Sequence, residues 1–179
     1  MSKSIRVAFC GIMTAFCTLL MFLTGLVPVG TYALPALAGV LLIVVVIEMG
    51  TGWAWSVYAA SSVLSLFIAG DKEAAMLYIV FFGYYPIVKA VFEKIPKKYL
   101  SYLLKFTVFN ISMVLGYVLS IWLLGVPEDS FTLFGLNLPI LFLIFGNFVF
   151  FIYDYAVSGL VVTYYQRFHK LMSKFLRNK

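Results

Sequence analysis

Apolar residues run through this chain in six long stretches, and the charged residues gather in the short gaps between them. A helix needs about 20 apolar residues to cross a hydrocarbon core ~30 Å thick. The stretches 6–26, 33–49, 52–69, 74–92, 100–124 and 139–165 are each near that length. The pattern predicts an all-α polytopic membrane protein. Six transmembrane helices form a single integral membrane domain over residues 1–179, with a basic tail over 166–179. The thinnest boundary is Glu48-Met49-Gly50-Thr51-Gly52, between the second and third stretches. An unbroken helix over 33–69 would be ~55 Å long, well beyond the core, so two glycines and a carboxylate predict a tight turn here.

Composition points the same way. Hydrophobic residues make up 64% of the 179 and charged residues only 11%, against roughly 25% charged in a soluble domain. So little charge leaves too little polar surface to cover a globule in water. The first stretch follows Lys3 and Arg6, but it is longer than a signal-peptide core and no small-residue cleavage site follows, so it reads as a retained span.

The basic residues set an orientation. Lys3 and Arg6 precede the first span, and Lys94, Lys97 and Lys98 lie between the fourth and fifth. Arg167, Lys170, Lys174, Arg177 and Lys179 follow the sixth. With six spans all of these fall on one side, and the other side holds only Lys72. Basic loops mark the cytoplasmic face, so both termini are expected inside a cell membrane, bacterial plasma membrane being the expected setting. Topology accounts for the net charge of +6, and no nucleic-acid partner is needed. The tail carries Phe168, Leu171, Met172 and Phe175 at helical spacing, which predicts a helix with one apolar face lying at the inner surface.

Motifs for catalysis are missing. The single histidine, His169, lies in the tail, and the chain has no HExxH, GxSxG or Walker loop. No span carries two carboxylates, and no metal-ligand spacing occurs. Neither catalysis, a cofactor nor a metal is expected, and primary transport would need an ATPase from elsewhere. Cys10 and Cys17 are seven residues apart on one helix, ~10 Å by helical rise. They read as small packing residues rather than a disulfide.

Asp154 is the costliest residue, a carboxylate more than two turns inside the sixth span. Lys89 and Lys105 enter from the cytoplasmic side with stems that reach deeper. The three residues read as a buried ion pair locking helices together, or as a proton or substrate site. Glu48 and Glu93 fall at cytoplasmic helix ends and read as solvated, with Lys89 and Glu93 also spaced to pair. Asn110 and Asn147 read as interhelical hydrogen-bonding residues, and Asn147 also lies where it can face a ligand cavity. At the outer ends stand Tyr32, Asp71, Lys72, Glu73, Tyr78, Trp122 and, in the Gly125–Leu138 loop, Asn137. They read either as an interfacial belt or as the wall of a pocket for a small ligand. The loop itself is long and aromatic, as expected of a segment packed over something. Ala8, Gly11, Ala15 and Thr18 form a small-residue stripe along the first span, which lets another helix approach closely.

Six spans, inside termini, about this length and a basic tail resemble the substrate-binding S component of energy-coupling factor (ECF) transporters. The stretch Ala8-Phe9-Cys10-Gly11-Ile12-Met13-Thr14-Ala15 is similar to that family's small-residue motif on the first helix, although Ile12 stands where the second small residue belongs and Gly11 and Ala15 restore the spacing one step on. Val27-Pro28-Val29-Gly30-Thr31-Tyr32-Ala33-Leu34-Pro35 looks like the family's proline-bearing outer loop, and the glycine turn after Met49 also has its counterpart there. The resemblance implies capture of a vitamin-like micronutrient and docking through Ala8, Gly11 and Ala15 onto a membrane coupling subunit served by an ATPase pair. It also implies an outer pocket in the region of Tyr32, Asp71, Lys72, Glu73, Trp122, Asn137 and Asn147. The competing expectation is a six-span scaffold of the rod-shape-determining MreD type in cell-wall machinery, with protein partners and no ligand pocket.

Overall fold

The computed structural model describes residues 3–27, 30–124, 132–133 and 136–172, with side chains over 3–27, 30–122 and 141–172. Its helices are α1 (Lys3–Leu23), α2 (Gly30–Met49), α3 (Thr51–Ile68), α4 (Lys72–Leu77), α5 (Tyr85–Phe92), α6 (Lys98–Leu124) and α7 (Leu138–Arg167). A π-helical turn, Tyr78–Phe82, joins α4 to α5. Among the described residues the other regular structure is a pair of two-residue antiparallel strands, β1 (Thr132–Leu133) and β2 (Leu136–Asn137), with Thr132 opposite Asn137. The remainder of the Gly125–Leu138 loop, expected to pack over something, lies outside the described residues, as do Pro28, Val29 and Phe175.

Among the described residues five segments are long and apolar enough to cross a membrane: α1, α2, Lys72–Phe92, Lys98–Trp122 of α6 and Leu141–Arg167 of α7. Helix α3 is not among them, its mean hydropathy being held down by Trp53, Trp55 and Tyr58 as well as Ser56, Ser61, Ser62 and Ser65. The outside of the bundle is apolar as well. Phe67, Trp122, Phe142, Phe145 and Phe148 all stand exposed, a surface that water would not tolerate in so contiguous a form.

Helices α1, α2 and α3 pack into one layer around Cys10, Met13, Cys17 and Met21, which recur every three or four residues along α1. Leu42 and Val45 of α2 and Ala54 and Val57 of α3 close that core. Both cysteines are free and buried in it. The α2–α3 turn is a single residue, Gly50, at φ 89° and ψ 169°. Only glycine enters that region without strain, so the chain reverses here.

A second, aromatic core ties α6 and α7 to the layer. Phe81, Tyr85, Phe109 and Phe150 are buried together, and Phe109 stacks on Phe150 at 4.6 Å. Phe81 reaches this core from the π turn, in a segment that reads as one plain span in the sequence. Pro86 has no N–H for the Phe82 carbonyl, and Gly83 N–H passes over Ile79 O to donate to Tyr78 O at 2.8 Å, five residues back. The Tyr58 hydroxyl donates to Ile79 O at 2.6 Å and occupies another turn carbonyl. On the far side α2 presents Gly39, where a Cβ would sit 2.3 Å from Phe82 O. The backbones therefore meet at the π turn with no room for a side chain.

Candidate functional site

Tyr85, Lys89 and Glu93 are spaced by four, so α5 and the residue just past it present one polar stripe to α6 and α7. Asp154 of α7 faces that stripe. Lys89 Nζ is ion-paired with Asp154 Oδ1 and lies 2.8 Å from Glu93 Oε1. Lys105 Nζ of α6 lies 2.9 Å from the same Glu93 oxygen and 3.2 Å from Asp154 Oδ2. The Tyr85 hydroxyl donates to Asp154 Oδ1 at 2.5 Å. Lys89 also donates to Ser158 Oγ at 2.8 Å, and that hydroxyl donates on to Asp154 O at 3.0 Å. Two cations and two anions thus balance in one network across α5, α6 and α7.

Burial makes the balance matter. Lys89, Lys105 and Asp154 are each no more than 5% exposed, and isolated charges in such a place cost several kcal/mol each (roughly) even after relaxation. Glu93 is the open corner. Partial burial pushes its carboxyl up, but the ammonium groups of Lys89 and Lys105 outweigh that and hold it below the usual carboxylate range. With both Asp154 oxygens engaged by cations or a phenol, the arrangement suits a tie between helices rather than a proton relay.

The sequence names Asp154, Lys89 and Lys105 for this cluster and overlooks Tyr85 and Ser158. The available signal was spacing: Tyr85 is four before Lys89, and Ser158 four after Asp154. Glu48 is a correction. It is not solvated: its side chain is 4% exposed, accepts from the Tyr164 hydroxyl at 2.9 Å and lies 2.9 Å from His169 Nδ1. Tyr164 lies in the last turn of α7 and His169 just beyond its end. About 20 Å of helix separates Asp154 from Arg167.

The residues expected around an outer pocket go to different places. Asp71 caps α4 by accepting from Glu73 N at 2.9 Å and Ala74 N at 3.3 Å. Its other oxygen accepts from Thr31 Oγ1 at 2.7 Å, which fastens this turn to the start of α2. Lys72 Nζ donates to Leu66 O near the end of α3 at 2.8 Å. Tyr32, beside Thr31, is exposed, and Glu73 follows Lys72 at the same end. Trp122 points outward from α6, 86% exposed. Asn147 is occupied by Asn110, each amide donating to the other's oxygen at 2.9 and 3.0 Å across the α6–α7 seam. The side chain of Asn137 lies outside the described residues. Tyr32 and Asp71 to Glu73 therefore share one end of the bundle, and Trp122 and Asn147 do not join them.

Ala8, Gly11 and Ala15 lie on the outer face of α1, and a Cβ on Gly11 would meet nothing within 4 Å. Thr18 leaves the stripe: it is buried, and its hydroxyl donates to Thr14 O at 2.9 Å.

Comparison with known proteins returns no matching family model, no matching curated protein and no matching solved structure. The class therefore rests on the molecule itself. Among the described residues it is almost wholly helical, with an apolar exterior and five segments fit to cross a membrane.

Proposed function

We propose that this chain is a six-span, non-enzymatic subunit of the cell membrane, with both termini cytoplasmic. In this reading it is the S component of an ECF-type importer, capturing a vitamin-like small molecule and docking onto a separate membrane coupling subunit energised by an ATPase pair. The observation that carries this reading is the face of α1. Met13, Cys17 and Met21 turn inward, while Ala8, Gly11 and Ala15 form a small-residue strip on the outer face, which also carries the exposed Val7, Ile12, Phe16 and Leu19. Against lipid alone such a strip gains nothing, whereas small residues let a second helix approach closely.

The sixth crossing is supplied by α3. Ser61, Ser62 and Ser65 are buried, and Ser61 and Ser65 donate to Val57 O and Ser61 O at 2.8 and 2.6 Å. Its outer surface carries Trp55, Val63, Leu64, Leu66, Phe67 and Ile68 beside Ser56, whose hydroxyl donates to Gly52 O at 3.4 Å. Most of its serines are thus turned from lipid, and its lipid-facing side is largely apolar. Reporter fusions at Asp71 and Glu128 are expected to read as external and one at Lys97 as cytoplasmic. A cytoplasmic reading at Glu128 would sink the six-span arrangement.

The scaffold reading, a subunit of MreD type, has its own support. Asp71, Lys72 and Asn147 are engaged with other groups of the chain rather than left to meet a ligand. Mass spectrometry of the protein purified in mild detergent separates the two. A stoichiometric small molecule is expected for the importer subunit. Its absence, together with a copurifying wall-synthesis protein, would favour the scaffold.

A further inference from the structure

Between α2 and α7, towards the end where α7 projects past Glu48, lies a cleft of about 140 Å³. Val40, Ile43 and Val44 form one wall, and Leu160, Thr163 and Tyr164 form the other, with Phe168 at the mouth. We propose that this cleft holds an acyl chain of an anionic phospholipid whose headgroup is bound by Arg167.

Three observations carry the assignment. The lining is almost wholly apolar, and apolar voids of about this size stay dry and accept apolar guests. Leu160, Thr163 and Phe168 are all exposed on the outer side of α7, so the cleft opens sideways into the apolar surface of the bundle rather than towards its core. Arg167 follows Leu160, Thr163 and Tyr164 by seven, four and three residues. That spacing places it on the same helix face, one turn beyond the cleft. A chain lying in the cleft thus brings its phosphate to the guanidinium, which binds such groups in bidentate fashion. The nearest acid, Glu48, does not oppose this. Its carboxylate is buried, accepts from Tyr164 and lies against His169. Basic pockets between helices at the cytoplasmic level suit anionic headgroups in general.

The test uses the full-length protein, purified and exchanged into vesicles of phosphatidylglycerol and phosphatidylcholine in equal parts, then examined by native mass spectrometry. Wild type is expected to retain one phosphatidylglycerol in preference to phosphatidylcholine, and excess inorganic phosphate should not displace it. Arg167→Gln, at an exposed position, should reduce the preference about fivefold. Thr163→Phe, also exposed, should fill the cleft and lower retention of both lipids. Equal retention of the two lipids by wild type would overturn the proposal. So would retention indifferent to both substitutions, or displacement by phosphate, which would assign Arg167 to a free anion.

Discussion

Replacing Asp154 by leucine removes the only carboxylate that α7 brings to the network, and the structure sets the size of the effect. At 3.2 Å from Lys105 Nζ, the gross attraction is about 5 kcal/mol at an effective dielectric of about 20. Desolvating the charges consumes most of such a gain, so the intact pair contributes little net stability. Breaking it is another matter. Lys89 and Lys105 are left buried with the single shared oxygen of Glu93, and the Tyr85 hydroxyl loses its acceptor. The expected loss for Asp154→Leu is about 3–5 kcal/mol. Asp154→Asn keeps an oxygen for Tyr85 or Lys89 and should be milder by about 1–2 kcal/mol. Adding Lys89→Met to Asp154→Leu should recover part of the loss, because the leftover charge is then gone, and the two substitutions should fail to add by about 1–3 kcal/mol. Unfolding in mixed micelles, titrated with a denaturing detergent and followed by tryptophan fluorescence, measures wild type, the three single variants and the double variant. Wild-type stability in Asp154→Leu, or simple additivity with Lys89→Met, would refute the network as a tie between α5 and α7.

Two further outcomes follow from the packing. Gly39→Ala places a Cβ against the Phe82 carbonyl, so α2 must shift away from the π turn, and stability should fall by about 1–3 kcal/mol in the same titration; an unchanged midpoint would mean that the contact yields freely. Asn110→Ala and Asn147→Ala should each cost about 0.6–1.7 kcal/mol, and the double variant should cost scarcely more than either, since each amide is the other's partner; full additivity would argue against the reciprocal pair.

Much of the architecture is legible in the sequence because lipid imposes a coarse rule. Long apolar runs become helices, and Gly50 marks the reversal between α2 and α3. The position of Asp154 in the sixth stretch, with lysines on two others, was enough to name the cluster at its centre. Features set by tertiary contact were not visible. The π turn depends on Pro86, Gly83 and the reach of Tyr58 from another helix, and Phe81 is one residue of an otherwise plain apolar run. Glu48 reads as a solvated helix end because its partners, Tyr164 and His169, are more than a hundred residues away in sequence. On the six-span reading average hydropathy understates α3, whose Ser61, Ser62 and Ser65 count against it although they are buried, Ser61 and Ser65 bonding to their own helix. The outer residues are expected at one level from the spans, but a shared level does not bring side chains together, as Trp122 and Asn147 illustrate.

If the open small-residue face of α1 receives another membrane protein, bulky side chains on that face should block assembly. Wild-type protein, Gly11→Leu and Ala15→Leu are coexpressed with an ECF coupling subunit and its ATPase pair, and the assembled complex is recovered by affinity capture on an ATPase. Leucine at either position points into open space in the isolated chain, so the unfolding midpoint should match wild type. Wild type is expected to be captured, and both variants to be lost from the complex while remaining folded. Capture of both variants at the wild-type level would contradict docking through α1.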